Sequence, residues 1–302
     1  MEERELLEDC RVCPRRCGVN RLKGEMGFCG ARDRIVVAKA FAHRWEEPCI
    51  SGSRGSGTVF FSGCNLKCAF CQNYRISQEW FGKAVGEEEL VEIFLKLQAR
   101  GVHNINLVTP TIYTPQLVVA LKKAKDRGLK VPVVWNSNAY ESPEVLKRLE
   151  GLVDVYLPDL KYFGEAPARK YSRVPGYFEC AAKAILEMYR QVGEPVFDEK
   201  GMIKRGLIIR HLVLPGLKED SKKVLDFIKS SLPSGVYVSL MGQYMPCYRA
   251  GEFPEINRPL PKEEYEEVIE YFFEIGLENG FAQEEGADSP EYVPNFDLEG
   301  II

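Results

Sequence analysis

Six short apolar runs alternate with segments of helical periodicity between residues 57 and 280. Runs of β-branched and aromatic residues indicate buried strands, and their alternation with helices is typical of βαβ units in a parallel sheet. The predicted strands cover residues 58–61, 104–108, 131–135, 153–157, 207–214 and 236–241. The predicted helices cover residues 87–100, 115–127, 143–150, 177–191, 219–229 and 261–275. This pattern restricts the chain to an α/β fold.

The ends of the predicted strands are unusually polar. The polar residues at these ends are Thr109, Thr111, Asn136, Ser137, Asn138, Asp159, Lys161, Arg210, His211 and Gln243. The βα units are too few for a complete TIM barrel, so they form either an incomplete barrel or an open doubly wound sheet. Both arrangements collect functional groups at the C-terminal ends of the strands, and we expect a site along that rim.

Arg210 and His211 are neighbours in the fifth predicted strand. Successive side chains of a strand point to opposite faces of the sheet. One of these two side chains is therefore expected to face the interior of the barrel.

Three cysteines follow the first predicted strand in a CxxxCxxC pattern. Cys64, Cys68 and Cys71 form what we call the cysteine loop. Three thiolates on a cubane iron–sulfur cluster leave one iron open to a small molecule, which indicates reactivity. The alternative is a structural zinc site, which takes all four ligands from the protein. It is disfavoured because the nearest histidine downstream is His103, far beyond finger-like spacing.

A second set of cysteines lies near the N-terminus. Cys10, Cys13, Cys17 and Cys29 form the N-terminal cysteine group. Four soft ligands so close together indicate a metal, either as a closed zinc site or as a second iron–sulfur cluster, and the spacing leaves both open. The isolated cysteines are Cys49, Cys180 and Cys247, for which no role is assigned.

Charge and composition narrow the functional classes. Lys and Arg number 40 against 44 Asp and Glu, a net charge of −4, and no Lys/Arg-rich run is present. The sequence therefore lacks the clustered positive charge that is typical of nucleic-acid-binding proteins. The first ten residues are charged where a signal peptide is apolar, and no apolar stretch is long enough for a membrane span. We expect a cytoplasmic protein.

Two regions lie outside the βα units. Residues 1–56 are expected to form a cysteine-rich, metal-binding N-terminal extension, and residues 57–280 a barrel. Residues 281–302 are acidic and punctuated by prolines, and they are expected to lie over the body or to fray.

The cysteine loop resembles the signature of the radical S-adenosylmethionine (SAM) superfamily. The resemblance implies an enzyme with a partial (β/α)6 TIM-type barrel and a [4Fe–4S] cluster that binds SAM. It also implies a flavodoxin- or ferredoxin-type electron donor, and reductive cleavage of SAM to a 5'-deoxyadenosyl radical that abstracts hydrogen from a substrate. Phe70 matches the aromatic residue that the family places near the adenine, and packing beneath the loop is its alternative role.

Three longer motifs resemble a narrower group, often labelled pyruvate formate-lyase activating enzyme-like. They are CxxCPRxCGVNR at residues 10–21, GTVFFSGCNLKCAFCQN at residues 57–73 and MGQYMP at residues 241–246. The barrel region at residues 57–280 carries most of this resemblance. The group's motifs leave the substrate unspecified.

The resemblance assigns further SAM contacts to the polar strand ends. Thr109 and Thr111 occupy the place of a Gly-Gly-Glu motif that binds the amino group of SAM, although they lack its carboxylate. The other contacts that it implies are Asn136, Asn138, Asp159, Lys161 and Arg210. Arg210 is the candidate for a carboxylate fork, and the alternative for Asp159, Lys161 and Arg210 is a structural ion pair.

Three functions remain in competition. The leading hypothesis is a radical SAM enzyme that abstracts hydrogen from a protein or peptide, either activating a glycyl-radical enzyme or modifying a protein. The second is a radical SAM enzyme that acts on a small metabolite. The third is a non-catalytic iron–sulfur or zinc electron-transfer protein, which would need no barrel with a polar rim.

Overall fold

The structure is a computed structural model that describes residues 3–283 and 294–301. The strands are β1 (Ile35–His43), β2 (Ser56–Phe61), β3 (Lys83–Val85), β4 (Ile105–Val108), β5 (Val133–Ser137), β6 (Val155–Pro158), β7 (Val196–Phe197), β8 (Ile203–Leu212), β9 (Tyr237–Met241) and β10 (Gly280–Ala282). The helices are α1 (Glu5–Glu8), α2 (Pro48–Ser51), α3 (Tyr74–Ser77), α4 (Glu87–Ala99), α5 (Thr114–Asp126), α6 (Pro143–Leu146), α7 (Glu165–Ser172), α8 (Tyr177–Val192), α9 (Lys218–Ser231) and α10 (Lys262–Glu274).

The sheet has the order β10-β9-β8-β6-β5-β4-β2-β1-β3. The strands from β2 to β10 along this path are parallel neighbours, while β1 is antiparallel to both β2 and β3. The path does not close on itself, so the fold is the predicted α/β protein with a partial TIM-type barrel. All predicted strands are present, and the structure adds β1, β3, β7 and β10.

Most predicted helices form on the outside of the sheet. They bury their apolar faces against it in one large core that includes the fully buried Trp135. The helix predicted at residues 143–150 is shorter than expected, because α6 ends at Leu146 and a 3₁₀ turn continues over Lys147–Leu149. Among the described residues, no helix has both the length and the apolar character that crossing a bilayer requires.

The connection between β1 and β2 fills the N-terminal half of the barrel. It contains α2, whose Cys49 and Ile50 are buried against apolar side chains of the strands. These strand residues are Val134, Val155, Leu157, Ile203 and Ile208. Their alternation along the strands puts them on the face opposite the helices. The C-terminal half of the barrel is therefore left for a cavity.

The N-terminal segment is attached to the barrel by arginines that donate to backbone carbonyls. Arg15 donates to the Asn65 carbonyl at 3.0 Å and to the Arg173 carbonyl at 2.7 Å. Arg21 is buried and donates to the Ile112 carbonyl at 2.7 Å. Because β1 also belongs to residues 1–56, this region contributes a strand to the sheet. The boundaries at residues 56 and 280 stay predictions.

The described part of the C-terminal tail lies along β1. Ala40 N–H donates to the Glu299 carbonyl at 2.8 Å, and Lys39 pairs with Asp297 and Glu299, each at 3.1 Å. Phe296 contacts the Phe60 ring edge-on at 5.5 Å between centroids. Of the predicted tail at residues 281–302, residues 284–293 and 302 lie outside the described residues.

Candidate functional site

A cavity of about 870 Å³ opens at the C-terminal ends of the strands. Its volume is in the upper part of the range of about 300–1,000 Å³ that small-molecule sites occupy. Predicted site residues that line it are Cys64, Cys68, Phe70, Cys71, Thr109, Asn136, Asn138, Asp159, Lys161 and Arg210. The cavity also contacts Gln243, Tyr244 and Met245 of the MGQYMP stretch. The polar strand ends thus meet at one rim.

The cysteine loop connects β2 to α3 and faces this cavity. Cys64 and Cys68 are each 9% exposed, and Cys71 is partly exposed. Each sulfur has a side chain at hydrogen-bonding distance: Asn138 Nδ2 donates to Cys64 at 3.4 Å, Ser172 Oγ donates to Cys68 at 3.0 Å, and Ser77 Oγ lies 3.2 Å from Cys71. Such neighbours stabilise negative charge on sulfur.

Burial sets the protonation of these thiols in the absence of a cation. It raises the pKa of Cys64 to about 11 and that of Cys71 to about 12. Both groups are therefore thiols at neutral pH unless a metal displaces their protons, since thiolates are the metal-binding form. The cysteines of the loop therefore become thiolates at neutral pH only when a positive charge, such as that of a metal, lies beside them.

Phe70 lies at the bottom of the loop and contacts the cavity. Its ring packs edge-on against Tyr244, with centroids 5.7 Å apart, and its carbonyl accepts a hydrogen bond from Cys247 Sγ at 3.3 Å. Phe70 therefore packs under the loop and also presents a face to the cavity. Both roles considered from the sequence are compatible with this placement.

The two threonines after β4 have different surroundings. Thr109 lines the cavity with a φ of +60°. Thr111 begins a 3₁₀ turn, is 1% exposed, and lies beside the buried carboxyl group of Glu141. Within the described residues, Thr111 is absent from the cavity wall. This corrects the prediction that Thr111 contacts SAM: the turn directs its side chain into the core.

Glu141 is a buried acid that sequence analysis missed. It accepts hydrogen bonds from Trp135 Nε1 at 3.0 Å and from Ser137 Oγ at 2.6 Å, and burial raises its pKa. These bonds fix the loop that follows β5. The signal was an acidic residue directly after a polar strand end, but nothing in the sequence distinguished it from an exposed acid.

Asn136 and Asn138 both line the cavity. The Asn138 amide donates to Cys64 and, at 2.8 Å, to Asn65 Oδ1, while its oxygen accepts from Tyr140 N–H at 3.0 Å. Asn138 is therefore engaged in holding the cysteine loop. Contacts of Asn136 and Asn138 with ribose hydroxyls both stay predictions.

Asp159 and Lys161 form an ion pair of 2.7 Å in the cavity wall. Burial lowers the pKa of Lys161, but the charges of Asp159 and Cys68 outweigh burial and raise it above its usual range. Lys161 is therefore a permanent cation close to the cysteine loop. Asp159 and Lys161 therefore form the ion pair that was the alternative to SAM binding, and both residues also line the cavity.

Arg210 faces the cavity, and His211 faces the helices, as strand alternation predicted. Arg210 Nε donates to Glu47 at 2.8 Å and its Nη2 donates to Glu47 at 2.6 Å and to Glu46. His211 is buried between the Leu160 carbonyl at 2.7 Å and Ser221 Oγ at 2.8 Å. The pairing of Arg210 with Glu46 and Glu47 supports the ion-pair alternative, and its role as a carboxylate fork for SAM stays a prediction.

Among residues 3–283 and 294–301, no group of three or more His, Cys, Asp or Glu is arranged to hold a metal ion. Metal binding by the N-terminal cysteine group, as zinc or as a second iron–sulfur cluster, therefore stays a prediction.

Three proteins illustrate what the chain is similar to. An uncharacterized protein of Methanocaldococcus jannaschii is 36% identical over 275 residues, which cover 88% of this chain and 75% of that protein. The pyruvate formate-lyase-activating enzyme of Clostridium pasteurianum is 25% identical over 181 residues, or 57% of this chain and 68% of the enzyme. The chain also resembles the structure of Streptococcus suis SuiB bound to precursor peptide SuiA, with a TM-score of 0.50 and 16% identity. The match covers 76% of this chain and 48% of SuiB, and it supports the fold.

The radical SAM superfamily model matches residues 58–228, from β2 into α9. A radical SAM fold implies a [4Fe–4S] cluster and SAM. The residues present fit that cluster: three thiols share one loop at the cavity, and each has a hydrogen-bonding neighbour. Since the matched segment covers more than half of the sequence, the chain belongs to the radical SAM superfamily.

Proposed function

We propose that this protein is a hydrogen-abstracting radical SAM enzyme with a protein or peptide substrate. The observation that carries the proposal is the cysteine loop at the edge of a cavity of about 870 Å³. Such a volume accommodates SAM and leaves room for a substrate segment. The likeness to a pyruvate formate-lyase-activating enzyme, whose name denotes a protein as its target, supports this substrate class.

When bound, the cluster and SAM supply a 5'-deoxyadenosyl radical. The chain's own residues bind and orient these groups. Cys64, Cys68 and Cys71 would ligate three irons, while Phe70, Thr109 and Asn136 would contact SAM from the cavity wall. Lys161 would offset negative charge near the sulfurs, and Asp159 would hold its ammonium group in place. A flavodoxin- or ferredoxin-type carrier would supply the electron.

The test is SAM cleavage by the anaerobically reconstituted and reduced protein. We expect 5'-deoxyadenosine and methionine in equal amounts, and no product from the unreduced protein. A fully loaded, reduced protein that forms no 5'-deoxyadenosine would overturn the enzymatic proposal and favour an electron-transfer protein.

The substrate class has its own measurement. The amount of 5'-deoxyadenosine is measured in three samples: the protein alone, the protein with a peptide from a glycyl-radical enzyme, and the protein with a pool of small metabolites. Stimulation by the peptide supports the proposal. Stimulation by the metabolite pool alone would replace it with the second hypothesis.

Ser172 provides a prediction about the reduction potential. The hydrogen bond from Ser172 to Cys68 stabilises the reduced form of the cluster, because that form carries more negative charge. Replacing Ser172 by Ala removes this hydrogen bond. We expect the potential to fall by on the order of 60 mV, which is about a tenfold change in the equilibrium of a one-electron couple. A spectroscopic redox titration measures it. Ser230→Ala, at an exposed position on α9, is the matched control and should leave the potential unchanged.

A further inference from the structure

We propose that residues 241–249, which we call the clamp segment, hold the cysteine loop in place, and that Tyr248 is a positioning residue for the bound cluster. The inference rests on the proposed function, because the cluster at the loop belongs to that proposal. It gives a role to the MGQYMP stretch at residues 241–246, which the proposed function leaves without one.

The first support is the contact between the clamp segment and the turn between two of the cysteines. Only two residues, Ala69 and Phe70, separate the second and third cysteines of the loop. The N–H of Arg249 donates to the Ala69 carbonyl at 2.8 Å. The thiol of Cys247 donates to the Phe70 carbonyl at 3.3 Å. Both carbonyls of the turn therefore accept hydrogen bonds from the clamp segment.

The second support is a pair of aromatic contacts across the same interface. The ring of Tyr248 stacks on that of Tyr74, with centroids 4.8 Å apart and planes 11° from parallel. Beside this stack, Tyr244 packs edge-on against Phe70. Tyr74 begins α3, and its N–H donates to the Cys71 carbonyl at 3.2 Å. Because aromatic pairs stabilise an interface beyond the area that they bury, Tyr248 acts on Cys71 through Tyr74.

The third support is the backbone conformation of Tyr248. Its φ is +54°, in the left-handed region that residues other than glycine rarely adopt. Tyr248 is also 40% exposed, so burial alone does not hold its ring in place. Such a conformation persists only where the surrounding structure imposes it, and it is concentrated at functional sites. The stack with Tyr74 and the hydrogen bonds of Cys247 and Arg249 impose it here.

The fourth support is the attachment of the clamp segment to the barrel. The segment begins at Met241, the last residue of β9. Tyr244 is 2% exposed, and its hydroxyl donates to the Ile256 carbonyl at 2.5 Å. The N–H of Gln243 donates to Gln283 Oε1 at 3.2 Å. Because its first half is fixed to the barrel in this way, the second half of the clamp segment can hold the cysteine loop.

The cysteine loop is also attached to the end of α7. The N–H of Lys67 donates to the Ser172 carbonyl at 3.0 Å, and the N–H of Ala69 donates to the Tyr171 carbonyl at 2.7 Å. These bonds do not involve the clamp segment. Removing the Tyr248 ring is therefore expected to loosen the loop near its third cysteine without unfolding the whole loop.

Hydrogen exchange of the metal-free full chain tests the clamp segment independently of any cluster. In Tyr248→Ala, we expect the amides of residues 69–76 to exchange about three- to tenfold faster than in wild type, because the lost stack stabilised the closed loop. Tyr248→Phe keeps the ring and should exchange like wild type. Phe273→Ala, which removes a ring that is 60% exposed on α10, is the matched control. Wild-type exchange in Tyr248→Ala would overturn the clamp.

The reconstituted protein tests the positioning role of Tyr248. We expect Tyr248→Ala to take up as much iron as wild type, to change the electron paramagnetic resonance spectrum of the reduced cluster, and to form 5'-deoxyadenosine about tenfold more slowly. Tyr248→Phe should restore the wild-type spectrum. A lower melting temperature of Tyr248→Ala with a wild-type spectrum would overturn the positioning role. If wild type itself holds iron but forms no 5'-deoxyadenosine, the proposed function fails, while exchange and spectra still decide the clamp.

Discussion

Replacing Cys64 by Ala is expected to lower 5'-deoxyadenosine formation at least about 100-fold, because even indirect partners of metal ligands account for losses of about 10–100-fold. Cys64 is buried at the edge of the cavity, and its sulfur accepts hydrogen bonds from Leu66 N–H and the Asn138 amide. Alanine removes one of the three proposed ligands of the cluster. Iron content and product formation are measured on the same preparation.

Cys180→Ala is the control for this loss. Cys180 lies on α8, is partly exposed, and is absent from the cavity wall formed by the described residues. We expect it to leave both product and iron unchanged. A Cys64→Ala protein with full iron and wild-type product would contradict the ligand assignment.

Replacing Arg210 by Met is expected to lower the free energy of unfolding by about 3–5 kcal/mol, because breaking a buried ion pair leaves charge without a partner. The side chains of Arg210, Glu46 and Glu47 are 13%, 7% and 5% exposed. Methionine would leave two neighbouring carboxylates buried without their cation. Urea denaturation measures the change.

The matched control removes the charges together. In R210M/E46Q/E47Q, no uncompensated carboxylate is left at these positions, so we expect much of the lost stability to return. If the triple variant is as unstable as Arg210→Met, the loss comes from packing and not from charge.

The same network predicts a dependence on pH. Burial would raise the pKa of Glu47, but the charge and hydrogen bonds of Arg210 outweigh burial and hold it below its usual range. The stabilisation by Glu47 is therefore complete above its unfolded pKa of about 4.3, and it is lost as pH falls through the lower folded pKa. In Arg210→Met, burial without the cation raises the carboxyl pKa, so the deficit relative to wild type should shrink on acidification.

The fold was largely predictable because each predicted strand is a local apolar run and each helix a local periodic pattern. The rim was predictable for the same reason: polar residues such as Asn136 and Asp159 follow those runs directly. The opposite faces of Arg210 and His211 followed from strand geometry alone.

The partners of the site residues were not predictable. Glu46 and Glu47 reach Arg210 from a connection more than 160 residues away in sequence, and only the tertiary fold brings them inside the barrel. Thr111 was assigned from its match to the Gly-Gly-Glu position, and the sequence did not reveal the 3₁₀ turn that buries its side chain. The hydrogen bond from the Asn138 amide to Cys64 likewise depends on the tertiary fold.

The connection between β1 and β2 has a consequence for the order of events during turnover. Because α2 packs against the strands inside the N-terminal half of the barrel, the described residues close the cavity on that side. SAM and substrate would then both enter from the C-terminal rim. For a protein substrate, as proposed, a segment seated at this rim would restrict the exchange of smaller molecules, so we expect SAM to bind before the substrate and 5'-deoxyadenosine to leave after it.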